Sequence, residues 1–220
     1  MKYINIHPHT LAEAQNELHI FNHIVGKDTT FSKYFSAGIH PWHIDEKNLD
    51  GQLAKLRELV SQANCVAVGE CGIDKVQGPD MPTQEKVFRE HIKLAIEFKK
   101  PLVIHCVKGF QEVLKCIKAE KFEGNFIMHG FNSPIEIAFP FLKMTNCYFS
   151  FGRALIQDGS NAEILIKMLP LDRVFLETDA KEINIKNIYD AAIVINSISE
   201  LVITEQIISN YKKVFVNGLN

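Results

Sequence analysis

The sequence predicts an α/β fold and, within that class, a (β/α)8 TIM barrel of parallel strands. Short apolar runs rich in Val, Ile and Phe recur along the chain, and helical patterns fall between the later runs. Continuous apolar runs are typical of strands buried on both faces, as the strands of a parallel sheet are. Histidines and carboxylates fall at the ends of these runs, where barrel enzymes carry their chemistry.

We expect eight strands, each a short apolar run. The runs are KYINI (2–6), IFNHIV (20–25), FSAGI (35–39), CVAVG (65–69), LVIH (102–105), NFIMH (125–129), CYFSF (147–151) and RVFLE (173–177). Apolar spacing and capping residues predict helices over 48–62 and 83–98, after Ser133-Pro134, over 162–169, and two in the tail 188–215. Strands that alternate with helices in this way form a barrel.

The first third of the chain is expected to be the irregular part of that barrel. The chain has 220 residues, and the fold usually takes about 250. Only about a dozen residues separate the first, second and third runs, which leaves little room for crossover helices. We expect missing or shortened helices there, or an open or distorted barrel. No linker or internal repeat divides the chain, so one domain over 1–220 is predicted.

Composition narrows the class of protein. Hydrophobic residues make up 46% of the chain, which is typical of a globular protein, and the net charge of -2 gives no global basic field. No apolar stretch approaches the ~20 residues of a membrane span, and the start MKYINIHPHT does not resemble a signal peptide. We therefore expect a cytoplasmic protein, a monomer without an obligate protein partner. Five cysteines without a CxxC pair argue against a disulfide framework or a cysteine zinc site.

Two features suggest a metal site. His7 and His9 are two residues apart after a strand, so both imidazoles can reach one ion, although an HxH pattern alone is weakly specific. Glu70 follows the buried run CVAVG, where a carboxylate is costly unless it is paired or bound to a metal. One carboxylate can bridge two cations. The alternative for Glu70 is a salt bridge to a loop lysine such as Lys75.

Three more residues fall at equivalent positions of later strands. His105 ends PLVI, His129 ends NFIM, and Asp179 comes just after RVFLET. A lone histidine at such a place is more often a core residue than a ligand. Their recurrence at strand ends, together with His40 after YFSAGI, favours one shared site at the mouth of a barrel. The pattern therefore indicates an enzyme, a metal-dependent hydrolase.

The ordered motifs IHPH, GIHPWH, VGECGID, PLVIHC, MHGF and LETD resemble the TatD-type metal-dependent hydrolases, a branch of the amidohydrolase-like barrels. The resemblance runs from residue 2 to about 180, and the terminal NYKKVF resembles the family's closing helix. It implies two divalent metal ions bridged by Glu70, with Asp179 orienting or deprotonating the attacking water. His40 would contact substrate. The implied metal ligands are His7, His9, Glu70 and Asp179 at one site, and Glu70, His105 and His129 at the other.

The chain departs from the family pattern at two positions. Asn5 stands where the family usually has Asp before its HxH, and Lys108 stands where the family often has a phosphate-contacting Arg. All the metal ligands that the resemblance implies are retained, so catalysis is expected to be intact. The resemblance further implies that the reaction is hydrolysis of phosphodiester bonds in DNA. Imidazoles with carboxylates suit zinc, manganese, iron, nickel or cobalt better than magnesium.

Substrate contacts are suggested by four cations and one aromatic residue. The cations lie past predicted strand ends, where they could form a rim that attracts phosphate, or simply belong to polar loops. They are Lys75, Lys108, Arg153 and Lys181. Trp42, the only tryptophan, lies beside His40 and either stacks on a base or packs over the barrel mouth.

Two other functions remain open from the sequence. The same metal centre could hydrolyse a lactone, an amide or an ester outside nucleic acid, which the shortened front and Asn5 allow. A non-catalytic binding protein on a barrel scaffold is the second alternative. A purely structural metal site is disfavoured, because such sites are closed, four-coordinate and often rich in thiolate.

Overall fold

The computed structural model describes residues 3–9, 17–27, 33–179 and 183–216. Within these residues, every paired strand is parallel to its neighbours. The strands are β1 (Tyr3–Asn5), β2 (Glu17–His19), β3 (Phe21–Ile24), β4 (Phe35–Gly38), β5 (Cys65–Asp74), β6 (Leu102–Val107), β7 (Phe126–Met128), β8 (Cys147–Phe151) and β9 (Val174–Leu176).

Helices follow most of the later strands. They are α1 (Leu49–Val60), α2 (Met81–Glu97), α3 (Phe110–Ala119), α4 (Ile135–Leu142), α5 (Asn161–Met168), α6 (Ile185–Asn196) and α7 (Glu200–Tyr211). Short 3₁₀ turns lie at Pro41–His43, Arg153–Ile156 and Leu171–Arg173, and a π-helical turn follows α7 at Lys212–Val216. Among the described residues, no single helix could by length and composition cross a membrane; α6 and Glu200–Val216 pass that test only as a pair bent by 112°.

The seven-stranded sheet curls, and its two edge strands are joined by the segment that follows β1. Strands β3 to β9 lie in chain order in one sheet, while β1 pairs with β2. The amide of Ile6 donates to the carbonyl of Leu176 at 3.3 Å, and the amide of Asn22 donates to the carbonyl of Pro8 at 3.0 Å. The segment after β1 thus bridges β9 and β3. This arrangement confirms the predicted α/β fold with a TIM-like barrel.

The structure differs from the sequence prediction in three elements. The second predicted run is divided at Ile20, because β2 pairs with β1 whereas β3 pairs with β4. Strand β5 continues to Asp74, five residues beyond the predicted end. Helix α3 was not predicted, although its buried residues Val113, Cys116 and Ile117 have helical spacing.

The expectation of missing helices in the first third is confirmed for the residues described there. Between β1 and β4, the described stretches 6–9, 25–27 and 33–34 contain no helix, and the first helical turn begins at Pro41. Residues 10–16 and 28–32 lie outside the described part of the chain.

One hydrophobic core joins the strands to the inner faces of the helices. Val103 and Ile104 of β6 are fully buried, and Phe88 and Ile92 of α2 are at most 1% exposed. Fully burying each such side chain contributes about 1.5–3 kcal/mol. The strands are therefore held firmly where their carboxyl ends carry polar side chains.

Candidate metal centre

A bulge in β5 places the carboxylate of Glu70 inside the barrel. Between Val68 and Cys71, three steps along β5 match two along β6, from Leu102 to Ile104. Because β5 continues past the predicted end, Glu70 lies within a strand rather than after one. It is 3% exposed.

Glycines on both sides of Glu70 allow this close approach. Gly69 has φ +144°, and a Cβ there would lie 2.3 Å from the carbonyl oxygen of Val103. Gly72 has φ +147°, and a Cβ there would lie 2.0 Å from the carbonyl oxygen of His105. Only glycine combines this conformation with this contact. The motif GECG is therefore a structural requirement for the position of Glu70.

The two oxygens of Glu70 face different histidines. Oε2 lies 3.1 Å from Nε2 of His7 and 3.7 Å from Nε2 of His9. Oε1 lies 2.8 Å from Nε2 of His129 and 2.9 Å from Nδ1 of His105. One carboxylate thus stands between two sets of imidazoles, as a bridging ligand must.

Asp179 completes the side of the cluster that contains His7 and His9. Its Oδ1 lies 3.3 Å from Nε2 of His9, whose Nε2 is also 3.3 Å from that of His7. A parallel bridge between Pro8 and Asp179 joins the segments that follow β1 and β9. The structure therefore brings all six predicted metal ligands into one cluster.

Two of the histidines are also held by carboxylates outside the cluster. In each, the carboxylate contacts the outer nitrogen, which is the ring nitrogen that faces away from Glu70, and the inner nitrogen faces Glu70. Nε2 of His105 lies 3.0 Å from Oδ2 of Asp74, and Nδ1 of His129 lies 3.2 Å from Oε1 of Glu177. A carboxylate accepts the outer N–H, so the inner nitrogen is the one that a neutral ring would offer to a cation in place of its hydrogen bond to Glu70. Neither Asp74 nor Glu177 was predicted from the sequence to have a role. For Asp74 the signal was its place in the motif VGECGID.

His40 meets the cluster as a hydrogen-bond donor. The backbone N–H of Trp42 donates to His40 Nδ1 at 3.1 Å, so a neutral His40 carries its hydrogen on Nε2. Burial lowers the pKa of His40 and outweighs the opposing effect of Glu70. Its Nε2 lies 3.2 Å from Oε1 of Glu70 and 3.3 Å from Nδ1 of His105. This tautomer distinguishes His40 from the predicted ligands.

The buried charges of the cluster stabilise one another. Burial raises the pKa of Glu70, but the charges of His129 and His7 and hydrogen bonds from His105 and His129 outweigh it and hold that pKa well below its usual range. Burial also raises the pKa of Asp179, yet its hydrogen bond to His9 and the charges of His129 and His7 lower it overall. Both carboxylates are therefore ionised at neutral pH.

The donor set suits divalent cations. Three groups have ligand atoms within 4.8 Å of one another: His7, His9 and Asp179; His7, Glu70 and His129; and His40, Glu70 and His105. Ionised carboxylate oxygens and ring nitrogens directed at one point are the ligands that zinc and similar metals take. The fixed tautomers of His105 and His129 add the outer support that such sites have.

A cleft opens over the cluster. It encloses about 360 Å³ and is lined by His9, Ile24, Lys27, His40, Trp42, His43, Glu70, His105, Cys106, Val107, His129, Gly130 and Asp179. The indole Nε1 of Trp42 donates to Oδ2 of Asp74 at 2.7 Å, while 46% of the residue is exposed. Trp42 is therefore anchored at its edge and accessible from the cleft. Lys27 also lines the cleft and was not predicted from the sequence.

The predicted cationic rim is only partly formed. Lys108 is exposed and lines a second cavity of about 310 Å³, which shares His129 with the first. Arg153 is exposed on the turn Arg153–Ile156 and lines neither of these two cavities. Lys75 pairs with Glu112 at 2.7 Å, so the suggested salt bridge between Lys75 and Glu70 is wrong. Lys181 lies outside the described residues.

Two buried asparagines flank the histidines that follow β1. Asn5 accepts from the amides of His7 at 3.4 Å and Thr178 at 3.2 Å, so it ties β1 to the segment after β9. Asn22 of β3 accepts from the amide of Glu70 at 3.1 Å and donates to its Oε2 at 2.8 Å. Asn22 was not predicted from the sequence, where its only signal is a polar residue within the apolar run IFNHIV.

Residues 9–216 match the family model described as TatD related DNase. A protein of Buchnera aphidicola subsp. Baizongia pistaciae, described as an uncharacterized metal-dependent hydrolase, is 29% identical over 182 residues, 81% of this chain and 66% of that protein. A Cronobacter sakazakii protein described as 3'-5' ssDNA/RNA exonuclease TatD is 31% identical over 150 residues, 66% of this chain and 56% of that protein. The structure of a TatD family hydrolase from Entamoeba histolytica has a TM-score of 0.81 at 17% identity and covers 98% of each chain.

The fold and the cluster define a TIM-like barrel with a candidate metal centre at the carboxyl ends of its strands. The chain belongs to the TatD related DNase family, whose model it matches over nearly its whole length. It spans about two thirds or less of the two curated relatives.

Proposed function

We propose that this protein is a divalent-metal-dependent hydrolase that cleaves phosphodiester bonds in DNA. The observation that carries the proposal is the buried carboxylate of Glu70, with His7 at one oxygen and His105 and His129 at the other. Membership of the TatD family supports the reaction class, and the nuclease description of the Cronobacter sakazakii relative supports a nucleic acid substrate.

Two cations fit the donor set in this proposal. One position, on the side of Oε2 of Glu70, would be held by His7, His9, Asp179 and Glu70, and the other, on the side of Oε1, would be held by Glu70, His105 and His129. The ligands favour zinc, manganese, iron, nickel or cobalt over magnesium. When bound, the cations would acidify a water molecule and stabilise negative charge on the phosphate oxygens.

The protein's own side chains hold and orient the reactants. Asp179 is ionised and half exposed at the cleft, so its free oxygen can accept a hydrogen from the attacking water. The Nε2–H of His40 is a donor beside Oε1 of Glu70, within reach of a phosphate oxygen. Lys27 and Lys108, which line the cleft and the neighbouring cavity, would bind the backbone of the substrate, and Arg153 would have to meet it outside both cavities.

Trp42 is the proposed contact for a base. Its indole is fixed by Asp74 and exposed beside the cleft, which is the arrangement that a stacking platform needs. A base stacked on an aromatic side chain contributes about 1–3 kcal/mol, which favours single-stranded substrates over paired ones. The cytoplasmic location, the monomeric state and the single domain over 1–220 stay predictions.

Turnover on single-stranded DNA tests the proposal. We expect hydrolysis that disappears on treatment with a chelator and returns with zinc, manganese or cobalt. A parallel panel of small esters, lactones and amides tests the first alternative. Metal-dependent turnover of that panel without cleavage of DNA would overturn the proposed substrate. Absence of metal-dependent turnover on either would favour a non-catalytic binding protein.

Reversal of charge at Lys108 tests the cationic contact with the substrate backbone. We expect Lys108→Glu to weaken DNA binding and to reduce the slope of log affinity against log salt by about 0.7, the value for one lost contact to a single strand. Lys118→Glu, at an exposed position on α3, is the matched control and should leave that slope unchanged. Equal slopes for wild type and Lys108→Glu would exclude Lys108 from the backbone contact.

A further inference from the structure

The carboxamide of Asn22 has a fixed orientation. The backbone N–H of Glu70 lies 3.1 Å from Oδ1 of Asn22. Because a backbone N–H can only donate, the amide oxygen must face it, and the amide nitrogen must face the opposite way. That nitrogen lies 2.8 Å from Oε2 of Glu70, 3.1 Å from Nε2 of His9 and 3.3 Å from Nε2 of His7.

These three atoms belong to one of the two proposed cation positions. An amide nitrogen has no lone pair available for a metal, and its hydrogens carry partial positive charge. Its two hydrogens therefore compete with a cation for lone pairs among Nε2 of His7, Nε2 of His9 and Oε2 of Glu70. The same amide also holds Glu70 in the orientation that presents Oε1 to the other position.

The other position has a different environment. Its histidines, His105 and His129, are held at their outer nitrogens by Asp74 and Glu177. By contrast, Nδ1 of His7 is buried and has no hydrogen-bond partner among the described residues. Outer partners of this kind change metal affinity by about 10–100-fold. The Nε2–H of His40 is a single donor beside Oε1 of Glu70 and Nδ1 of His105, whereas the NH₂ group of Asn22 faces three ligand atoms of the position at Oε2. The outer partners and the number of facing donors therefore both favour the position at Oε1.

We propose that Asn22 makes the two cation positions unequal. The position at Oε1 of Glu70, with His105 and His129, fills first. The position at Oε2, with His7 and His9, fills at higher metal concentration, because a cation there displaces the amide hydrogens of Asn22. Asn22 is a positioning residue and not a ligand. This inference deepens the proposed function and rests on its two-metal assignment.

Titration with cobalt tests the inference without an assay of activity. Chelator-treated protein is titrated with Co²⁺ and followed by calorimetry and by visible absorption. We expect two phases in the wild type, separated by at least about tenfold in dissociation constant. Asn22→Asp keeps an oxygen for the amide of Glu70 and replaces the NH₂ group by a second oxygen. It should tighten the second phase by at least about tenfold and change the first by less than about threefold.

Two further variants separate this effect from charge and folding. Asn5→Asp makes the same substitution at a buried asparagine that contacts backbone amides and Thr178, so it should shift the second phase far less than Asn22→Asp. Asn22→Ala removes the competing hydrogens without adding charge, and it should narrow the ratio of the two dissociation constants. Thermal unfolding checks that each variant is folded.

The possible failures are distinguishable. A wild type that binds no cobalt would overturn the proposed function together with this inference. Two equal wild-type phases would overturn the inference alone. So would a ratio that stays at the wild-type value in both Asn22→Asp and Asn22→Ala, or an equal effect of Asn5→Asp.

Discussion

At the scale of single residues, the candidate centre depends on which nitrogen of each imidazole carries a hydrogen. His105 and His129 have carboxylates at their outer nitrogens, so their inner nitrogens are available to a metal. His40 accepts a backbone N–H at Nδ1, so its inner nitrogen donates. Three histidines beside one oxygen of Glu70 therefore have two different chemical roles.

The outer carboxylate of His105 can be tested directly. Asp74→Asn replaces a charged acceptor by a neutral one at 3.0 Å from the ring nitrogen. We expect the affinity for cobalt at the first phase to fall by about 10–100-fold. Asp190→Asn, which alters an exposed ion pair with Lys186 on α6, is the control and should have no effect on metal binding. Unchanged affinity in Asp74→Asn would contradict the role assigned to this carboxylate.

His91 predicts a pH dependence of stability away from the metal cluster. It is fully buried on α2, where Nε2 accepts from the amide of Ile39 at 2.8 Å and Nδ1 donates to the carbonyl of Val87 at 2.8 Å. Burial lowers the pKa of His91 from 6.5 to about 4. In the unfolded chain His91 is therefore protonated below pH 6.5, whereas in the folded protein it is protonated only below about pH 4.

The stabilisation by neutral His91 is thus complete above pH 6.5 and is lost as the pH falls toward 4. At 1.36 kcal/mol per pKa unit, the loss is roughly 3 kcal/mol. Urea unfolding of wild type and His91→Gln at several pH values measures it. The wild type should lose roughly 3 kcal/mol more than the variant over this range. Parallel pH profiles of the two proteins would contradict the assignment.

The sequence could predict the six residues that the structure brings together, because each is a polar residue at or near the end of an apolar run. It could not identify the role of Asn22, since a buried amide within a strand has no characteristic spacing from the residues it contacts. Lys27 was missed for a related reason: only the curl of the sheet brings the segment after β3 over the cleft.

At the scale of elements, β5 is the strand that organises the centre. Its bulge turns Glu70 inward, and its extension to Asp74 supplies the outer partner of His105. The polar residues of GECGID end the apolar run, which is why the sequence predicted an early strand end. Hydrogen bonding to β6 continues the strand through these polar residues, and such tertiary pairing is not encoded in local composition.

Gly72 provides a test of this element. A Cβ at residue 72 would lie 2.0 Å from the carbonyl oxygen of His105, and the backbone is at φ +147°. We expect Gly72→Ala to destabilise the protein by about 2–5 kcal/mol, from backbone strain together with displacement of β6. Urea unfolding measures this loss, and metal titration should show weaker cobalt binding at His105.

Gly159→Ala is the matched control for Gly72→Ala. Gly159 also has a positive φ, +72°, but a Cβ there would meet no atom within 4 Å. The control should therefore lose only about 1 kcal/mol, from backbone strain. Equal losses in the two variants would mean that the contact with β6 does not determine the need for glycine.

At the scale of the whole molecule, the barrel joins residues that are far apart in the chain. The segment after β1 pairs with both β9 and β3, which brings His7 and His9 beside Asp179 and Glu70. The described front of the barrel has strands without helices between them, yet the centre is complete. Within the described residues, the order of the strands is therefore what brings the members of this site together.

The role of Glu70 as the shared ligand of the centre is tested by the metal content and DNA hydrolysis of wild type and Glu70→Gln, measured on the same preparations. Gln has nearly the same size as Glu70 but lacks the negative charge of the carboxylate, which contacts both sets of imidazoles. The wild type should contain divalent metal and cleave single-stranded DNA, while Glu70→Gln should lose bound metal and at least about 100-fold in turnover. Glu97→Gln, at an exposed ion pair with Arg57, should match the wild type. Full metal content and full turnover in Glu70→Gln would contradict the account.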